Sequence, residues 1–138
     1  GEAVIAGQGG ERRAPLDGFQ TGPFTTALGY DEVMVALELP QLPDGARFGY
    51  YKVNRKPGEF ADAIGAVVMR DTPRAVCGAT ESAPFRVPAI EEKLASGATA
   101  LPVAEVRDII AGMDAGFDDY ELQIHAVALS RAIGRAFA

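Results

Sequence analysis

From Asp118 onward, apolar residues recur at steps of three and four: Leu122, Ala126, Leu129, Ile133 and Phe137. At 3.6 residues per turn these positions form one stripe of a helix, and Asp118 with Glu121 has the spacing of a capping box at its start. So long a stripe must lie against another apolar layer. Two shorter helices are predicted before it. Pro88 suits a first helical position, Ile90 and Leu94 are one turn apart, and Gly97 follows, which gives a helix over 88–96. Val103, Val106, Ile110 and Met113 mark a second over about 102–112, ended by the glycines at 112 and 116.

Upstream of Pro88 the periodicity changes. Arg47 to Arg55, Ala61 to Arg70 and Arg74 to Thr80 read as strands, the last two joined by a short turn around Asp71-Thr72-Pro73. An antiparallel meander is the simplest arrangement of three such runs. Small residues crowd two of them, Ala61, Ala63, Gly65 and Ala66 in one and Ala75, Gly78 and Ala79 in the other, which predicts an element packed closely on them. The expected class is therefore α+β: an antiparallel meander of three to four strands packed with a C-terminal three-helix bundle.

The first forty residues read separately. Ala3 to Ala6 and Arg12 to Leu16 form a predicted hairpin, with GQGG at 7–10 in the turn. A glycine loop that cradles phosphate must open a helix, whereas this one leads into ERRAP, which reads as strand. Residues 17–30 are a predicted loop holding Phe19 and Phe24 against a core. DEVMVALELP then reads as a strand in which Val33, Val35, Leu37 and Leu39 alternate with Met34, Ala36 and Glu38. PQLPDG at 40–45 carries two prolines and an Asp-Gly signal, so a boundary is expected there between residues 1–40 and 46–138.

Composition narrows the class of function. With 13 Lys and Arg against 19 Asp and Glu, the chain lacks the basic excess of a nonspecific nucleic-acid binder. Cys77 is the one cysteine, so neither an intrachain disulfide nor a four-cysteine iron–sulfur cluster can be built. No apolar run approaches the ~20 residues that span a bilayer. The start, GEAVIAGQGG, has no methionine and no signal-peptide order, as if cut from inside a larger protein, and a cytoplasmic location is expected.

No catalytic or metal-ligating constellation emerges. His125, the one histidine, falls beside the apolar stripe of the last helix and reads as a structural, satisfied residue. Asp118 and Asp119 read as helix capping, and Cys77 as buried filler. That leaves YYKVNRKPGEFADAIGAVV at 50–68, aromatic and basic in an acidic chain. On physics alone it reads as a strand edge protected by lysine.

The order of segments carries more. FQTGPFTTALGYDEVMVALELP, then YYKVNRKPGEFADAIGAVV, then RAVCGATESAPFRVPAIEEKLASG, then DDYELQIHAVALSRAI resembles the FAD-binding (medium) subunit of the molybdenum hydroxylases, the group that includes carbon monoxide dehydrogenase and xanthine dehydrogenase. The resemblance rests on Asp31, Glu32 and Pro40; on Tyr50, Lys52, Arg55, Gly58, Phe60 and Ala61; on Gly78, Pro84, Arg86, Glu91 and Leu94; and on Tyr120 and Arg131. It implies the C-terminal part of that subunit, with 1–40 the tail of an FAD-binding subdomain and 46–138 the C-terminal domain. The N-terminal FAD-binding half, an iron–sulfur subunit and a molybdopterin subunit are the implied partners. In such an assembly the subunit passes electrons from iron–sulfur clusters to FAD and an external acceptor. The alternative is a noncatalytic docking domain that binds no cofactor. The resemblance also puts the strand of Met34 and the region of Tyr51 and Lys52 near the flavin ring, with Lys52 as the cation and Met34 and Tyr51 as apolar or ring contacts.

Overall fold

The computed structural model describes residues 1–138, which divide into two compact units: Gly1–Leu42 with Glu81–Ala83, and Pro43–Thr80 with Pro84–Ala138. The first unit holds β1 (Glu2–Gly7), β2 (Gly10–Pro15), β3 (Gln20–Gly22), β4 (Thr25–Thr26) and β5 (Val33–Glu38). β1 and β2 form the expected hairpin, turned at Gly10 with φ +100°, a conformation glycine adopts freely. β5 adds antiparallel to the other side of β1, giving the order β2-β1-β5. Ala3, Ile5 and Ala14 make a small core, with Leu16, Phe19 and Leu28 packed on it.

Two expectations in this unit are corrected. Phe24 does not pack on a core: it stands fully exposed at the turn between β3 and β4, where its φ of +54° directs the chain around the corner. The alternation along β5 is also broken. Its register on β1 steps from Val4↔Ala36 to Ile5↔Met34, so Val35 is an extra residue with no opposite number. Cross-strand partners share a face, so this bulge sets Met34 and Leu37 on the side of Ile5 and Ala3. Simple alternation had separated those two residues.

The second unit is built on β6 (Arg47–Val53), β7 (Ala63–Met69), β8 (Arg74–Gly78) and β9 (Phe85–Arg86), an antiparallel sheet in the order β6-β7-β8-β9. Three helices follow: α1 (Pro88–Ala95), α2 (Val103–Ala111) and α3 (Asp119–Ala136). The α+β class and the strand-then-helix order thus match the sequence reading. At the start of α3, Glu121 N donates to Asp118 Oδ1 (2.8 Å) and Asp118 N to Glu121 Oε2 (2.9 Å), which completes the capping box.

α3 lies across β6 and β7, so the close neighbour expected from small residues is found on β7 and not on β8, and Gly49 on β6, which the sequence reading had not singled out, shares it. A Cβ built on Gly49 would sit 1.8 Å from Ala132 O, and one on Gly65 would sit 2.5 Å from Ala128 O. Helix backbone therefore rests on strand backbone, which only glycine below and alanine above allow. α3 consequently carries two apolar stripes. Ala128, Ala132 and Ala136 meet the glycines, and Ala132 and Ala136 also join Ala126, Leu129 and Ile133 in the main core with Val67, Ile90 and Ile110.

Candidate functional site

Tyr51 and Lys52 are consecutive on β6, so their side chains leave opposite faces of the sheet. Tyr51 turns toward α3. Its ring lies under two guanidinium groups, with Arg131 Cζ 4.8 Å and Arg135 Cζ 4.7 Å from the centroid, and Arg131 also donates to the phenol oxygen. Lys52 turns to the other face. There its Nζ donates to Glu59 O at 3.0 Å, and no carboxylate ion-pairs with it.

The Pro57-Gly58 loop explains that contact. Gly58 has φ +88°, Glu59 N donates to Lys56 O (3.2 Å), and Lys56 N donates to the Glu59 carboxylate (3.2 Å). The chain doubles back after β6, and Asp62 N closes the return on Val53 O at 2.8 Å. Residues 54–62 are thus a tight loop whose returning backbone anchors the lysine. Arg55 faces Glu59 at 3.9 Å on the surface, a pair of small energetic weight.

Met34 belongs to the other unit, half-exposed on β5. The entry to its strand is fixed by Glu32, whose carboxylate receives Arg12 Nε and Nη2, each at 2.6 Å, and Gly29 N at 2.6 Å. The Arg12 hydrogen bonds, with the Gly29 N–H adding to them, hold the Glu32 carboxyl down at about 2. Arg12 also donates to Ala27 O at 3.0 Å, so one arginine joins β2, the preceding loop and the start of β5.

The remaining candidates are structural. Cys77 is fully buried, and desolvation pushes its thiol up to about 12, far from a reactive thiolate. His125 is buried and stacked on Phe117, with centroids 4.3 Å apart and planes 7° from parallel. Its Nδ1 has no hydrogen-bond partner, so the expected satisfied histidine is left unsatisfied at that nitrogen. Asp118 caps α3 and Asp119 pairs with Arg107. The structure contains no cluster of His, Cys, Asp and Glu suited to a metal ion, and no helix is long and apolar enough to cross a membrane.

Sequence reasoning had not joined Arg131 and Arg135 to Tyr51, which lies 80 residues before Arg131. A signal existed: the two arginines are one turn apart on α3, and no acidic residue follows Glu121 on that helix.

Comparison with known proteins supplies the context for this geometry. No family profile matches the chain. Over 67 residues, 49% of this chain and 23% of the relative, it is 43% identical to the carbon monoxide dehydrogenase medium chain of Hydrogenophaga pseudoflava. Over that stretch the chain is similar to a carbon monoxide dehydrogenase medium chain. Its fold agrees with that of the solved carbon monoxide dehydrogenase of the same organism, at a TM-score of 0.81 and 29% identity over 99% of this chain. A reconstituted CO dehydrogenase from Oligotropha carboxidovorans superposes with a TM-score of 0.82 over 98% of the chain, at 23% identity. In both solved structures the match spans 52% of the neighbour's chain, so this chain corresponds to about half of the length of each.

Proposed function

We propose that this chain is the C-terminal part of an FAD-binding subunit in a molybdenum-dependent hydroxylase or dehydrogenase. The subunit would pass electrons from iron–sulfur clusters to FAD and on to an external acceptor. Its partners would be an N-terminal FAD-binding half, an iron–sulfur subunit and a molybdopterin subunit, in the cytoplasm, and the piece by itself would be inactive. The observation that carries this reading is the agreement of fold over 99% of the chain with a CO dehydrogenase that is also 29% identical.

Of the second unit's residues, Lys52 suits a contact to a flavin's ring, whereas the cofactor's phosphates find no cradle. Lys52 offers an ammonium without a carboxylate partner, held in place by Glu59 O, and Met34 offers a half-exposed thioether. The one Gly-rich loop, Gly7 to Gly10, turns a hairpin and opens no helix, so it presents no amide cradle for a pyrophosphate. A bound flavin would supply the electron-accepting chemistry. Lys52 would supply fixed positive charge that favours the electron-rich form of the ring, and Met34 an adaptable apolar contact. Tyr51 leaves the face of β6 opposite to Lys52 and lies under Arg131 and Arg135, so it would not meet the same ring as Lys52.

Visible absorption of the intact subunit tests the reading: flavin bands are expected, and a fully assembled complex without them would leave a docking domain that binds no cofactor. In that subunit Lys52→Met removes the charge and keeps the aliphatic stem. A loss of ~1 kcal/mol from the reduced state lowers a two-electron midpoint by about 20 mV. An unchanged midpoint at unchanged flavin occupancy returns Lys52 to a structural role.

A further inference from the structure

β6 ends its sheet: it pairs with β7 and with no other strand. Arg135 Nη1 donates to Tyr50 O at 2.9 Å, so the backbone of Tyr50 faces the free side, and strand alternation turns Phe48 and Lys52 the same way. The two sides of this open edge differ in chemistry. Toward α3 stand Arg131 and Arg135 over Tyr51, with Arg47 over Phe137 at 5.8 Å, and none of the three arginines has a carboxylate partner. On the other face Phe48 and Tyr50 are 69% and 47% exposed. In a chain of net charge −6, Arg131 and Arg135 without carboxylate partners make a local reversal of sign at this edge, while Arg47 shares its recess with Asp44 and Asp71.

We propose that the β6 edge is an interface for an extended segment of a partner protein in which acidic and apolar residues alternate. Charge complementarity selects this occupant. A strand added to β6 presents alternate side chains to opposite faces, so its carboxylates would meet the arginines while its apolar residues cover Phe48 and Tyr50. The donors are arranged for a carboxylate. Tyr51 accepts from Arg131, which leaves its own O–H free to donate, and Arg135 can exchange the Tyr50 carbonyl for a carboxylate. The Tyr50 carbonyl would then accept an N–H from the added strand. Edge protection by arginine alone would need only charge and would show no preference for carboxylates. The surface lies wholly within the second unit and stands whether or not the subunit holds flavin.

Fluorescence anisotropy of the 138-residue chain with a labelled peptide alternating glutamate and valine tests the proposal. Saturable binding is expected. It should weaken about tenfold in the Arg131→Gln/Arg135→Gln double variant, and comparably when glutamine replaces glutamate in the peptide. Lys93→Gln, on α1, should leave it unchanged. Wild-type binding should also fall steeply as salt rises, a readout independent of whether the double variant folds. Equal affinity for the glutamate and glutamine peptides, salt-insensitive binding, or no binding at millimolar peptide would overturn the proposal. So would equally tight binding of a single-stranded oligonucleotide, which would make the edge a general polyanion surface. Self-association abolished by the double variant would overturn it in favour of a second copy.

Discussion

Replacing Gly49 by alanine probes the closest approach in the fold. The added methyl carbon would lie 1.8 Å from Ala132 O and 2.8 Å from Ala136 N, where ordinary contact begins at 3.4 Å. Both obstacles are backbone atoms of α3, so no rotamer change relieves them. The helix must retreat by roughly 1.5 Å, and a gap of even ~0.5–1 Å forfeits about a quarter to a half of each dispersion well along the interface. Overpacking costs about 1–3 kcal/mol where side chains can yield, and here they cannot, so about 3 kcal/mol or more is expected. For a unit of this size that is a fall in Tm of at least about 12 °C. Gly134→Ala is the matched control. It makes the same chemical change in α3 itself, but beyond the adjoining turns of the helix nothing lies within 4 Å of the new methyl, so helix propensity should gain ~0.5–1 kcal/mol. Urea unfolding and scanning calorimetry of the two variants decide the matter. A loss below about 1 kcal/mol for Gly49→Ala, or the same sign for both, would refute direct contact between helix and strand backbone.

Burial, slightly offset by Glu121, holds the His125 pKa below its ordinary value of 6.5, so the unfolded chain takes up the proton first on acidification. Stability attributable to this site is complete above pH 6.5 and declines as pH falls below it. His125→Leu should flatten that decline in urea titrations between pH 7 and 5, and parallel profiles would count against a buried neutral imidazole. Glu91, 8% exposed, accepts from Arg86 Nε at 2.9 Å and Ala75 N at 3.1 Å, and the Arg86 hydrogen bonds chiefly lower its pKa below 4.5. Its contribution is therefore present above pH 4.5 and lost below. Glu91→Ala should cost about 2 kcal/mol at neutral pH, less than a fully buried pair because Arg86 is half-exposed, as read from denaturant midpoints. β5 is an edge strand with Val33, Val35 and Leu37 all more than half exposed, so the isolated chain should self-associate, and Val35→Lys should suppress this in sedimentation velocity. A wild-type chain that stays monomeric at high concentration would show that β5 is not adhesive.

What was legible in the sequence was what short-range chemistry decides. The glycines at 7–10 turn a hairpin, Pro88 starts α1, and Asp118 with Glu121 caps α3, because each signal acts on backbone groups within a few residues of itself. The α+β class followed, since a change of apolar period from two to 3.6 reports which face each segment must bury. Glycine and alanine in the strands also announced a close neighbour without naming it. Tertiary structure alone decided the rest. The bulge at Val35 moves Met34 onto the face of Leu37, and it exists because β5 must meet β1 in a particular register. Phe24 points to solvent because the turn between β3 and β4 holds it at positive φ. Tyr51 lies under Arg131 and Arg135 because α3 settles on Gly49 and Gly65, an approach governed by atoms far apart along the chain. Neither periodicity nor capping carries information over that separation, so the cluster of arginines at the β6 edge emerged only when helix and sheet were brought together.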